Sequence, residues 1–183
     1  SYSGMQPSFR IIKKDTKTHA RLGVLRTPHG IVKTPSYVIV GTYGQIWHLS
    51  PADIKKTKTQ LIISNTFHLW DRALKSKDTE GFIHRSFGLK MPIMTDSGGF
   101  QVLSLAFGPD KQVGKFIGDD AKKTTSYKRQ TVRIKKDGVE FTFLGKKRFL
   151  GPELSMKLQS KIGADIMFAF DHITGPLDTR AYN

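Results

Sequence analysis

The chain has 183 residues, no cysteine, and a formal net charge of +15 from 30 Lys and Arg against 15 Asp and Glu. The length suffices for one domain with a proper core, and a composition of 38% hydrophobic and 25% charged residues is that of a globular protein. Disulfides and thiolate metal sites are excluded, and no apolar run approaches the ~20 residues of a membrane span, so the expected setting is reducing and cytoplasmic, without a membrane role. The positive field points to nucleic acid as partner, ahead of an anionic membrane surface.

Residues 1–8 are small and polar and read as a flexible leader, with Met5 as a candidate native start. A β region opens at Phe9. Ala20–Thr27 and Gly30–Thr34 flank Pro28-His29 and read as a hairpin, giving a small amino-terminal antiparallel sheet. From Pro35 the pattern changes to strand and helix in alternation. Tyr37–Val40 is a buried-type strand that ends at Gly41-Thr42. Ser50-Pro51-Ala52-Asp53 starts a helix, with serine at the N-cap, proline at N1 and an acid in the first turn. Leu61–Ser64 is the second strand, and Leu69, Trp70, Ala73 and Leu74 then lie at helical spacing. Pro92–Thr95 is the third strand. Gly151-Pro152-Glu153 opens a helix with Leu154, Leu158 and Ile162 on one face and Gly163 as its stop. Ala164–Phe170 is the fourth strand, ending at Asp171.

Each strand ends in a polar or acidic loop, so the loops share the carboxyl face of a parallel α/β sheet. No Gly-x-Gly-x-x-Gly fingerprint is present, which points to a barrel rather than a dinucleotide fold. The fold class expected is therefore α/β, a TIM (β/α)8-type barrel with only its first half present over residues 9–183. Such a half leaves two parallel edges unpaired. The expectation is a fragment, with a homodimer or partner subunit as the alternative cover. An insertion at about residues 108–150 interrupts the alternation, and residues 111–148 hold twelve Lys and Arg against four Asp and Glu. Within it, Asp137-Gly138 reads as a two-residue turn that sets Val132 and Ile134 against Phe143 and Phe141, and Lys135 against Glu140. A basic β-hairpin follows, with a mobile loop expected over 110–126.

The stretch Thr95-Asp96-Ser97-Gly98-Gly99-Phe100-Gln101 carries the candidate chemistry. An acid at a strand's carboxyl end, followed by two glycines, puts a carboxylate beside a backbone that can approach a ligand closely. By local pattern alone, an Asp-Ser turn that only caps a helix is the favoured reading. The six histidines show no metal spacing and default to structural or exposed roles.

In order and spacing, Ala20-Arg21-Leu22-Gly23, His29-Gly30, Thr34-Pro35, Val40-Gly41-Thr42, Asn65-Thr66-Phe67-His68-Leu69, the Asp96 heptad with Val102, Gly138-Val139-Glu140-Phe141, Pro152-Glu153 and Gly163–Met167 form a recognisable set. They resemble the amino-terminal half of the tRNA-guanine transglycosylase (queuine tRNA-ribosyltransferase) family. The resemblance implies a barrel enzyme that exchanges guanine in tRNA for a 7-deazaguanine base, queuine or its precursor, through a covalent ribosyl-enzyme. It implies Asp96 as general acid/base, Ser97, Gly98 and Gly99 as the close-approach loop, Phe100 as the stacking aromatic, and Asp171 as the carboxylate that reads the N–H edge of the base. It places the family's nucleophilic aspartate and Cys/His zinc ligands in the second half, so no cofactor or metal is expected in this chain. Departures are His172-Ile173 where the family has Glu-Cys, Ile46-Trp47 where it has Val-Lys, and Asp71-Arg72-Ala73 where it has Arg-Pro-Gly. The alternatives are a non-catalytic RNA-binding subunit and a DNA-directed deazapurine transglycosylase. The retained Asp96 argues against the first, since a pure binder has no use for that carboxylate.

Overall fold

A computed structural model describes residues 7–102 and 132–171. Of the expected leader only Pro7 and Ser8 fall within it, and Ser8 already pairs with Arg26, so ordered structure begins one residue earlier than Phe9. The expected mobile loop at 110–126 lies outside the described residues.

Strands β1 (Ser8–Lys14), β2 (Arg21–Thr27) and β3 (Gly30–Thr34) form an antiparallel sheet, with the β2–β3 turn at Pro28-His29 as the sequence suggests. The second sheet is four-stranded and parallel: β4 (Ile39–Gly41), β5 (Ile62–Ser64), β6 (Ile93–Thr95) and β10 (Ile166–Met167) lie side by side in that order. Each new strand joins the same growing edge, which is the order of a singly wound α/β sheet. Helices α1 (Pro51–Lys56), α2 (Thr66–Lys75), α3 (Ile83–Phe87) and α4 (Pro152–Ile162) connect or precede these strands.

The core accounts for this arrangement. Ile62 and Ile93 on one face of the parallel sheet join Ile54 of α1, Leu69 and Ala73 of α2, Ile83 and Phe87 of α3, and Leu158 and Ile162 of α4. The opposite face carries the register-matched row Val40, Ile63, Met94 and Ile166, apolar but only half-buried or exposed. One face is thus covered by helices, while the other presents an apolar row that no described residue fully covers. The capping signals hold: Ser50 and Asp53 form a reciprocal capping box on α1, and Gly163 ends α4 in the left-handed conformation at φ 84°. Leu74, placed by spacing on the apolar side of α2, is 46% exposed.

The insertion departs most from expectation. It is a three-stranded meander, β7 (Val132–Lys135), β8 (Gly138–Phe143) and β9 (Lys146–Leu150), rather than a hairpin. Its first turn falls on Lys136-Asp137, so Val132 pairs with Phe141, Arg133 with Glu140 and Ile134 with Val139. Lys135 reaches Glu140 only diagonally, at 3.5 Å. The reason is Gly138, which opens β8 instead of closing the turn: a side chain there would collide with the Leu150 carbonyl of β9 and with Phe149. The meander is bound to the core through Phe141, which meets Phe67 and Trp70 of α2, and through Leu150. Arg148 secures it from outside, pairing with Asp71 at 3.0 Å and lying over the Trp70 ring; the same guanidinium holds the Asp71 carboxyl below its usual range.

Candidate functional site

Asp96 stands immediately after β6, at the carboxyl end of the parallel sheet, and the chain turns through Ser97-Gly98 into a helix that begins at Gly99. Gly98 needs its missing side chain because its backbone sits at φ 80°. The loop is anchored on both sides. The Thr66 amide at the start of α2 donates to Asp96 Oδ1 at 2.9 Å, the Gly98 amide donates to the same oxygen at 3.1 Å, and the Thr66 hydroxyl donates to the Asp96 carbonyl at 2.6 Å. From below, the buried Ser155 hydroxyl of α4 donates to the Ser97 carbonyl at 2.8 Å.

Burial pushes the Asp96 carboxyl above its ordinary range, against the opposing influence of the Thr66 and Gly98 amides, His68 and the Gln101 side chain. A half-buried carboxylate with raised proton affinity holds a proton more readily than an exposed one. The helix-cap reading holds in part, since one Asp96 oxygen does receive an amide from the first turn of α2. Ser97 is buried, and its hydroxyl donates to Asp171 Oδ1 at 3.3 Å while accepting the Gly99 amide. Gly99 also lies close to Phe170 and to the Asp171 carbonyl, so a side chain there would press on both. Phe100 is 50% exposed at the top of the loop. The structure therefore brings Asp96, Ser97, Gly98, Gly99, Phe100 and Asp171 into one region.

What holds Asp171 in place was not read from sequence. The expected strand Ala164–Phe170 is only two residues long; the Phe168 amide still donates to the Thr95 carbonyl at 3.2 Å, and the side chain of Gln159 engages the Phe168 backbone as well. Gln159, fully buried on α4, accepts from the Phe168 amide at 2.9 Å and from the Thr95 hydroxyl at 2.8 Å, and donates to the Phe168 carbonyl at 2.8 Å. One side chain thus ties Thr95, the last residue of the strand before Asp96, to Phe168, three residues before Asp171. A buried polar residue on the core face of α4 is the only sequence signal for it.

A second cluster lies at the amino end of β10. Asp165 accepts from the His29 amide and ring on Oδ1, at 3.2 and 2.8 Å, and from His84 and the Ile93 amide on Oδ2, at 3.0 and 2.9 Å. The two imidazoles stack with centroids 3.6 Å apart. Among the described residues this is the group able to hold a metal ion, its ligand atoms lying within 4.8 Å of one another. Four hydrogen bonds already saturate the carboxylate, and the arrangement is that of a structural junction between the β2–β3 turn, α3 and β6. Burial works against the charge of Asp165, yet the bonds from His84, the Ile93 amide and His29 prevail and hold its carboxyl below the usual range. Among the described residues, no helix is long and apolar enough to cross a membrane.

The family model described as queuine tRNA-ribosyltransferase matches residues 15–183. Curated relatives carrying that same name are similar over most of this chain. One from Enterococcus faecalis (strain ATCC 700802 / V583) is 40% identical over 166 residues, 89% of this chain and 38% of the relative. One from Thermoanaerobacter sp. (strain X514) is 36% identical over the same coverage. A third, from Halothermothrix orenii, is 36% identical over 170 residues, 91% of this chain and 39% of the relative. The chain thus spans under two-fifths of the length of these relatives.

Proposed function

Because the chain belongs to the queuine tRNA-ribosyltransferase family, we propose that it supplies the base pocket and the general acid/base of an enzyme exchanging guanine in tRNA for queuine or its 7-deazaguanine precursor. In this reading the parallel sheet is part of a TIM-type barrel whose remaining strands cover the apolar row Val40, Ile63, Met94 and Ile166. The nucleophilic aspartate and the zinc ligands belong to the part of the relatives outside this chain.

The observation that supports it most is Asp96: a carboxylate with raised proton affinity, fixed by two amides at the carboxyl end of the sheet, with Asp171 joined to its loop through Ser97. When the glycosidic bond breaks, the departing purine takes the bonding electrons and needs a proton. Asp96 in its acid form gives that proton, and as carboxylate it takes one back from the incoming base. Asp171 accepts hydrogen bonds from the N–H edge of the guanine-like ring, Gly98 and Gly99 allow close approach, and Phe100 stacks on the base face. The nucleophile outside the chain holds C1′ of the ribose meanwhile, as in a retaining glycosidase. The target base must leave its stack to arrive there, which suits a surface with strong positive charge.

The test is exchange of labelled guanine into tRNA by the full-length enzyme. Asp96→Ala is expected to abolish exchange while tRNA retention on a filter survives. Unchanged exchange in that variant removes Asp96 from its role. Exchange into a DNA stem-loop but not tRNA would favour the DNA-directed relative.

A further inference from the structure

The first turn of α2, which holds Asp96, carries a residue at odds with helix rules. Counting from the Asn65 N-cap, His68 takes the third helical position, where an acid or glutamine would complete a capping box as Asp53 does on α1. An imidazole there forgoes the box, and once protonated it opposes the helix dipole. The ring is held in place all the same. Tyr43 packs on it with centroids 5.0 Å apart, from a two-residue turn closed by reciprocal amide–carbonyl bonds between Thr42 and Gln45 at 2.9 and 3.1 Å. Such turns take Asn-Gly by preference, whereas here the first position is a tyrosine at φ 55°. Two local rules are thus broken at residues in contact, at the carboxyl end of the sheet and beside the candidate acid/base, which is where strain marks function.

The Thr66 amide and hydroxyl fasten this turn to Asp96, so the helix end that carries His68 does not move independently of the carboxylate. The imidazole is exposed and trades protons with solvent, while Asp96 is half-buried. Charge on His68 works against the effect of burial on Asp96. We propose that His68, held by Tyr43, is a positioning residue that sets the balance between the two forms of Asp96. As imidazolium it favours the carboxylate, which takes a proton from the incoming base. As neutral imidazole it favours the acid, which protonates the departing one. No proton passes between the two side chains, and one departure with one arrival returns Asp96 to its starting form. Tyr43 faces the ring from the β4–α1 loop and Asp96 from the loop after β6. On α2 itself, Asp71 and Arg72 stand about one turn further on, where Asp71 pairs with Arg148 and Arg72 lies over Phe82. Asp171 reaches the Asp96 loop through Ser97.

The proposal rests on the base-exchange reading, and the assay separates the failure of one from that of the other. In guanine exchange by the full-length enzyme, kcat/KM for tRNA follows the acid form of Asp96 and falls as pH rises. His68→Gln removes the titrating charge and should carry that falling limb to higher pH, raising the rate on the limb at least ~2-fold. Glutamine also suits the third position of a helix, so this variant should fold at least as well as the parent. His68→Lys keeps a cation throughout the working range and should leave the limb in place or move it to lower pH. A second readout does not depend on turnover: the Asp96 carboxyl carbon, assigned by its loss in Asp96→Asn, should titrate at higher pH in His68→Gln when followed by NMR. A limb unmoved in His68→Gln, a limb moved upward alike in both variants, or an unchanged carboxyl titration overturns the role of His68 alone. Absence of exchange in the unsubstituted enzyme at every pH overturns the base-exchange reading and this one with it.

Discussion

Gln159→Leu removes the side chain that joins Thr95 to Phe168 while nearly conserving volume. The partners left behind are unequal. The Ser155 hydroxyl keeps its bond to the Ser97 carbonyl, and the Phe168 amide keeps a second acceptor in the Thr95 carbonyl at 3.2 Å. The Thr95 hydroxyl and the Phe168 carbonyl lose the bonds they made to Gln159. Thr95 is fully buried, so its hydroxyl bears the whole desolvation penalty of about 1–3 kcal/mol. Phe168 is 47% exposed, which leaves its carbonyl some access to water and a smaller loss. The sum is about 2–4 kcal/mol, a large part of the ~5–15 kcal/mol that holds a domain folded. Urea unfolding should show it as a lower midpoint at constant slope. Adding Thr95→Val removes the stranded hydroxyl, and the double variant should recover at least half the loss, since deleting both partners of a buried bond is far less costly than deleting one. A loss under about 1 kcal/mol in the single variant, or no recovery in the double, refutes the reasoning. The same variant should weaken guanine binding, because Asp171 follows the segment that Gln159 fixes.

Other expectations concern the carboxylates and the exposed ring. Asp96→Asn keeps an acceptor for the Thr66 and Gly98 amides and removes a charge whose folded-state proton affinity is raised, so at neutral pH it should leave the thermal midpoint unchanged or higher while exchange is lost; a clear drop in midpoint would contradict the burial argument. For Asp165 the shift is downward, so its stabilisation is complete above the unfolded carboxyl range near ~4 and is lost as pH falls through the lower folded value. Asp165→Asn should therefore flatten the acid limb of a stability–pH profile, and an unaltered limb would count against the junction. Phe100→Ala removes a half-exposed ring and should cost the fold little, yet weaken base binding by about 1–3 kcal/mol in a calorimetric titration. Affinity of the full-length enzyme for tRNA should fall steeply with salt, and a salt-independent value would refute the electrostatic argument drawn from the +15 charge.

Much of the site was legible before any coordinates. The Asp96 loop, Gly98 and the strand end before Asp96 follow from local rules: an apolar run of strand length, an acid at its carboxyl end, and glycine where φ turns positive; the strand expected to run on to Asp171 stops at Met167 instead. The caps of α1 and α4 were legible for the same reason, since Ser50 with Asp53 and Gly163 act within one helical turn. The short apolar strands could be ordered because alternation with helices leaves a parallel sheet few arrangements. The hairpin register failed where a local rule met a distant neighbour. Asp137-Gly138 is a sound turn by itself, but Gly138 is also where β9 and Gly151 pack against β8.

The sequence by itself determined the family loop, the strand–helix alternation and the sign of the charge, because each is written in adjacent residues or in a sum over them. Tertiary structure alone decided that Asp165 gathers His29 from 136 residues away and that Gln159 binds Thr95 across 64. It also decided that the β7–β8 turn stands over a cavity beside Gly99 and Asp171. Such bonds depend on which faces meet when the core closes, and no local periodicity encodes which buried polar side chain will meet which.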